Sequence, residues 1–336
     1  MKNSLIDTIK FTIKVKHGYL IDKHKKLKAE GVSNRLTNAL AGSSHKFKVP
    51  GIYGTTATVW SKKSGQLLQI ECSAAKFLTG HNVFGSENLN RIILDISKRV
   101  CRYLKIKPTA KEKQAIKAGD VRLFRVDLAA HFRLPSKFTV RSFQNALKMQ
   151  LAFTQRSFAT YADETLYVNQ HSDMRPIKIY DKGEEILFHR LPQDLPDKEA
   201  IERYTKNLVR VEMTFRSRFL RIIKMSQVKE WDKEKARNLF KEDLLKLNLL
   251  DSSLLQGEPI SGLTNLQNSI IALHAAGVDI STVIQNARQL KIHIKAIREK
   301  AGIDVRIPST ALSLSMVPVK CYLEGLNFGE NQINLT

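Results

Sequence analysis

Three apolar runs constrain this chain more than anything else in it. They are VRLFRVDLAAHF from Val121, PIKIY from Pro176 and LVRVEMTF from Leu208. Each is rich in β-branched and aromatic residues and bounded by polar or turn-forming residues, the pattern of a strand. Two of them carry a carboxylate at mid-run, Asp127 and Glu212, and the third ends on Tyr180 followed by Asp181 and Lys182. A carboxylate inside an apolar strand is costly unless something neutralises it. What neutralises these two is therefore the first functional question.

The two-residue period of a strand puts Phe124, Val126, Leu128 and Ala130 on one face and Arg125, Asp127, Ala129 and His131 on the other. Arg210, Glu212 and Thr214 share a face in the same way, and Glu71 in LLQIECSA shares one with Gln69. If these strands are neighbours, Asp127, Glu212 and Glu71 converge. Converging carboxylates repel unless a cation lies between them. Oxygen ligands suit Mg²⁺ or Mn²⁺, and Mn²⁺ also accepts His131 as a ligand. The competing account is local: Arg125 pairs with Asp127, Arg210 pairs with Glu212, and His131 is a satisfied strand histidine.

Tyr180 closes its strand and opens DKGEE, which favours an accessible hydroxyl. A phenol is a weak nucleophile near neutral pH, and a metal or an ammonium lowers its pKa. Lys182 supplies that ammonium if the strand continues past Asp181. Tyrosine attack on a phosphodiester gives a covalent phosphotyrosine, and a metal polarises and orients the phosphate. The bland alternative is a tyrosine at the core edge with a wet hydroxyl, and Tyr161 and Tyr167 are open to the same two readings.

The bulk composition favours a polyanion as partner. The 336 residues include 55 Lys and Arg against 32 Asp and Glu, a net charge of +23. Basic residues run along the whole chain, no basic helix has an aromatic apolar face, and no apolar run reaches 18 residues. Nucleic acid is thus expected and a membrane is not. Three separated cysteines, Cys72, Cys101 and Cys321, suit a reducing cytoplasm and form no zinc motif. The lysine-studded start does not read as a signal peptide.

Along the chain, 4–16 alternate as a strand, 19–40 are basic and partly helical, and 44–72 form a β meander with turns at Pro50-Gly51 and Lys63-Ser64-Gly65. Ser86 caps a helix over 87–106, with Leu89, Ile92, Ile93, Ile96, Val100 and Tyr103 on its apolar face. A second helix runs from Ser136 to about Phe153, 165–180 form a hairpin, and short helices cover 181–189 and 197–206. Helical periodicity then takes over at 217–226, 228–250, 262–276 and 279–301. The expected organisation is an α+β domain over 1–225 and a helical region over 226–336. In the latter, Arg288, Lys291, Lys295 and Arg298 form a basic helical stripe, either a DNA-phosphate contact or a solvated face.

Three segments resemble one known family. LQIECSAAKFLTGHNVFGS at 68–86, RVDLAAHF and LVRVEMTFRSRFL are similar, in the same order, to stretches of the filamentous-phage gene II replication initiators. IKIYDKGEEI resembles the active-tyrosine region of that family and the IYDK element of rolling-circle plasmid initiators. The resemblance covers about two-thirds of the chain in patches, with GHNVFG the most specific.

It implies a rolling-circle initiator of the broad HUH-endonuclease type, working in the cytoplasm of a bacterial host. Such a protein has a central antiparallel sheet flanked by helices, a divalent metal, and a tyrosine that nicks one strand at an origin and later rejoins it. The freed 3′ hydroxyl then serves the host helicase and polymerase. Carried over residue by residue, Tyr180 matches the nucleophile, Asp127 and Glu212 match acidic strand positions, and Glu71 matches an acidic position before GHNVFG. The chain has no His-hydrophobe-His triplet, so the ligand set departs from the usual HUH motif, and no second tyrosine of a Tyr-x-x-x-Tyr pair matches. Within GHNVFG and just before it, His81 and Lys76 either contact DNA phosphate or, respectively, shape a turn and sit in solvent. Two rival classes remain: a non-catalytic DNA-binding regulator, and a metal-independent tyrosine recombinase or topoisomerase.

Overall fold

The computed structural model describes residues 4–17, 46–134, 139–153, 157–161, 165–245, 253–254, 260–275, 280–284, 286–303, 305–306 and 317–318. The basic segment 19–40, the expected helix start at Ser136 and Cys321 lie outside them.

Nine strands make one sheet. They are β1 (Ser4–Lys14), β2 (Lys46–Pro50), β3 (Thr56–Lys62), β4 (Leu67–Ser73), β5 (Arg122–Arg133), β6 (Phe158–Tyr161), β7 (Thr165–Val168), β8 (Ile177–Asp181) and β9 (Leu208–Arg216). Their order is β2-β3-β4-β1-β5-β9-β8-β7-β6, and every pairing is antiparallel. The fold class is therefore α+β with a central antiparallel sheet and flanking helices. The strands that carry Asp127 and Glu212, β5 and β9, are adjacent, and the strand that carries Tyr180 follows them.

The first four helices are α1 (Ala74–Thr79), α2 (Leu89–Tyr103), α3 (Ala110–Lys117) and α4 (Val140–Phe153). One face of the sheet is apolar. Ile9, Phe11, Ile13, Val126, Leu128, Val211 and Met213 belong to a core that α2 and α4 complete through Ile93, Ile96, Val100, Phe143 and Leu147. Helix α1 packs against β1 and α2 and ends at Gly80, which takes a left-handed φ of 86°. A Cβ at Gly80 would strike the Tyr53 ring, so both backbone and space call for glycine there.

Helix α2 starts later than the sequence suggests. Asn88 caps it, its side chain accepting from Arg91 N at 3.0 Å, while Ser86 Oγ accepts from Asn88 N. The helix stops at Tyr103 because Lys105 takes a left-handed φ of 54°. Tyr103 is 54% exposed and so leaves the apolar face expected of it.

The alternation in β1 and β5 also slips. Register jumps from Ile6↔Leu128 to Ile9↔Val126, so two residues, Asp7 and Thr8, face Asp127 alone. This is a β-bulge. A second slip lies between Lys10↔Arg125 and Phe11↔Leu123 and leaves Phe124 as the extra residue. Leu123 is in the core in its place, while Phe124 is half-buried under the Arg122 guanidinium.

Strand β8 runs into α5 (Lys182–His189), capped by Asp181, and α6 (Lys198–Thr205) follows. These two helices share a small cluster of Val83, Ile186, Leu191, Leu195 and Ile201 with the GHNVFG loop. The chain then forms α7 (Ser217–Ile222) and α8 (Lys233–Leu245). Met225, Val228, Ala236, Phe240 and Leu244 belong to the main core, so packing is continuous through α8. Beyond it, α9 (Asn265–Ala275), α10 (Ile280–Val283) and α11 (Ala287–Ala301) build a separate cluster around Ile270, Ile280 and Ile297. Among the described residues no helix is long and apolar enough to cross a membrane.

Candidate active site

The strand register gathers the functional side chains into rungs across the second face. One rung runs Glu71–Lys10–Arg125–Arg216, the next pairs Asp127 with Thr214, a third runs Ala129–Glu212–Lys178–Tyr167, and a fourth His131–Arg210–Tyr180. Above them is a pocket of about 500 Å³ lined by Asp7, Lys76, Arg125, Asp127, Lys178, Tyr180, Glu212 and Arg216, among others.

Tyr180 is more enclosed than its place at a strand end suggests. It is 4% exposed, because its hydroxyl turns inward to donate to Glu212 Oε1 at 2.6 Å. Burial pushes its pKa well above 10, with Arg210 acting against that. Lys178 lies 4.3 Å from the Tyr180 ring and 3.9 Å from Glu212 Oε2. The strand ends at Asp181, so Lys182 starts a helix instead of continuing on the tyrosine's side. Its ammonium is fully buried, donating to Asn82 Oδ1 at 2.8 Å and Glu185 Oε2 at 2.5 Å. Burial, aided by Arg210, brings Lys182 down to about 8. Glu185 overcomes its own burial through Lys182 and Lys76 and sits at about 2.

Arg210 is the centre of the network and has no exposure at all. Its Nε donates to Glu212 Oε1 at 2.6 Å, and its Nη1 lies 3.1 Å from His131 Nε2 and donates to the Asn82 carbonyl. Its Nη2 faces Asp7 Oδ1 at 3.1 Å, as an ion pair outside hydrogen-bond geometry. Asn82 Nδ2 donates to the same Asp7 oxygen at 2.9 Å. Burial opposes ionisation of Asp7, but Arg210 and Asn82 outweigh it and hold the carboxyl below its ordinary value. The local arginine pairs are both present. Arg125 makes a fork to Asp127 at 2.8 and 2.5 Å and reaches Glu71 at 3.7 Å. Even so, burial raises Asp127 to about 6, with Glu212 and Asp7 adding to the rise.

The remaining expected residues fall at different depths. Glu71 pairs with Lys10 at 2.9 Å and does not line the pocket. His131 meets Arg210 and is likewise outside the lining. Lys76 reaches the pocket and pairs with Glu185 at 3.2 Å. His81 shapes its loop: its Nδ1 accepts from Val83 N at 3.3 Å, its ring meets Phe84 edge-on, and burial lowers its pKa to about 4. Arg288, Lys291, Lys295 and Arg298 are all exposed on α11.

As the side chains stand, no three His, Cys, Asp or Glu among the described residues are gathered closely enough to hold a metal ion. The donor chemistry fits a hard divalent cation all the same: Asp7, Asp127 and Glu212 present carboxylate oxygens to one pocket, and their mutual repulsion is what a cation relieves. Strand alternation alone does not find Asp7. Its signal is the phase slip in Leu5-Ile6-Asp7-Thr8-Ile9, where two apolar and then two polar residues break the pattern.

A nine-stranded antiparallel sheet whose pocket sets a tyrosine among carboxylates, lysines and arginines defines a candidate catalytic site, and comparison with known sequences gives the family. The family model for the N-terminal region of the replication-associated gene II protein matches residues 5–234, and the chain belongs to that family. The replication-associated gene II protein of Enterobacteria phage I2-2 is 27% identical over 244 residues, covering 71% of this chain and 70% of the phage protein. Among solved structures, a rolling circle replication initiator protein from Geobacillus stearothermophilus aligns over 64% of this chain and 74% of its own, at 11% identity and a TM-score of 0.26.

Proposed function

We propose that this chain initiates rolling-circle replication by cutting one DNA strand at an origin, with Tyr180 as nucleophile. The observation that carries this is the 2.6 Å hydrogen bond from the Tyr180 hydroxyl to Glu212 in a pocket that Lys76, Arg125, Lys178 and Arg216 also line. The phenolic oxygen attacks phosphorus, the new O–P bond retains the 5′ phosphate on the protein, and the 3′ oxygen leaves. Burial keeps Tyr180 protonated beforehand, so its proton leaves during attack, along the existing bond to Glu212. Arg125, Lys178, Arg216 and Lys76 supply cations for the phosphate backbone. Asp127, with Asp7 and Glu212, would hold Mg²⁺ or Mn²⁺, which would supply polarisation of the scissile phosphate. Attack by a 3′ hydroxyl on the phosphotyrosine reverses the chemistry and rejoins the strand. The substrate is an origin presented single-stranded or extruded, and the free 3′ end passes to the host helicase and polymerase.

The test is incubation with supercoiled DNA carrying the candidate origin, with and without Mn²⁺, scored for protein-linked ends. Linked 5′ ends are expected, and Tyr180→Phe removes them while DNA binding persists. Linked ends that persist in Tyr180→Phe and vanish in Tyr167→Phe reassign the nucleophile. Salt-sensitive binding without cleavage under any divalent ion leaves a DNA-binding protein only.

A further inference from the structure

The lining of the pocket changes chemistry towards one end. Arg125 on β5, Arg216 on β9, Lys178 on β8 and Lys76 on α1 carry positive charge, whereas Tyr167 on β7 and Gln170 and His171 at the tip of the β7–β8 hairpin bring a phenol, a carboxamide and an imidazole. Phosphate recognition calls for cations. A phenol ring, a carboxamide and an imidazole instead offer a stacking surface and directional donors and acceptors, the chemistry that reads base edges.

The hairpin tip is also built to hold a shape. Asn169 takes a left-handed φ of 52° and donates its N–H to the Ser157 carbonyl at 2.9 Å. Ser172 N donates to the Asn169 carbonyl at 2.8 Å, and Ser172 Oγ accepts from Met174 N and Arg175 N, each at 3.2 Å. The far side is pinned to neighbouring elements. Arg216 N donates to the Met174 carbonyl at 2.9 Å, Asp173 pairs with Arg218 at 2.7 Å, and Arg175 pairs with Asp243 at 2.7 Å. Base readout needs such a fixed frame, because a mobile side chain loses much of its hydrogen-bond energy to ordering. In register, Tyr167 stands opposite Lys178, which itself faces Glu212. Tyr167 is therefore one strand from Tyr180 and two from Glu212.

We infer that Gln170 and His171, backed by the Tyr167 ring, select the base of an unpaired nucleotide next to the scissile phosphate. The inference rests on the nicking reading above and adds a specificity determinant to it. A carboxamide pairs in bidentate fashion with adenine, whereas a carboxylate at the same place accepts from the amino group of cytosine.

The experiment uses the full chain, Mn²⁺, and a pool of single-stranded origin oligonucleotides randomised at the positions flanking the nick. DNA bound covalently to protein is recovered and sequenced. Wild type is expected to show a base preference at one or two flanking positions. Gln170→Ala with His171→Ala flattens that preference roughly tenfold, and Gln170→Glu moves it towards cytosine, a gain that misfolding cannot mimic. Adducts from these variants with the wild-type profile overturn the inference and leave the nicking reading intact. No adduct from the wild-type chain on any pool overturns both.

Discussion

The two faces of the sheet solve opposite problems with the same strands. On one face Ile9, Phe11 and Ile13 join Ile93 and Ile96 in an apolar core. On the other, Asp7 and Glu212 share Arg210, Lys182 pairs with Glu185 from α5, and Asp127 takes Arg125, so charges that are buried or nearly so persist by being paired. Trimming an apolar side chain costs roughly in proportion to the area it buried. Removing one buried charge strands its partner, and that costs more. The site face thus gives up tolerance to hold charge around the pocket.

The sharpest way to break this comparison is Arg210→Met. It leaves Asp7 and Glu212 without their shared cation and is expected to cost about 3–5 kcal/mol in urea unfolding. A cost no larger than that of a core trim would show that the two faces are energetically alike. Next in size is Glu185→Gln, expected to cost about 2–3 kcal/mol at pH 7 by stranding the buried Lys182 ammonium. Glu185 has its folded pKa lowered from 4.5 to about 2. Its contribution is therefore full above the unfolded value and is lost as pH falls through the folded one. The gap between wild type and Glu185→Gln should close as pH falls from 4.5 towards 2; a gap independent of pH would mean lost packing, not lost charge. Ile96→Val on the apolar face serves as the reference, at about 1 kcal/mol with no pH dependence. The smallest effect belongs to α11, outside both faces: Lys291→Ala is expected to lower the salt slope of DNA binding by about one unit without changing sequence preference. An unchanged slope would make that stripe a solvated surface.

Much of the site is legible in the sequence because strand periodicity is a strong signal. Alternation alone puts Asp127 and Glu212 opposite the core-facing residues of their strands, and the arginine partner of each carboxylate follows from the same rule. What alternation cannot carry is a change of phase. Asp7 reaches the pocket through a bulge, and Lys182 leaves the tyrosine's side where strand turns into helix at Asp181. Asn82 poses a different difficulty. Its role as the link between Asp7, Lys182 and Arg210 depends on hydrogen bonds between groups 75 to 128 residues apart, which no local pattern encodes.

The central position of β1 carries a consequence for how the protein is made. Asp7 leaves the ribosome long before its ion-pair partner Arg210, which belongs to β9. No nascent chain that ends before β9 holds the assembled charge network, so the order of synthesis itself postpones completion of the pocket until the sheet can close around its charges.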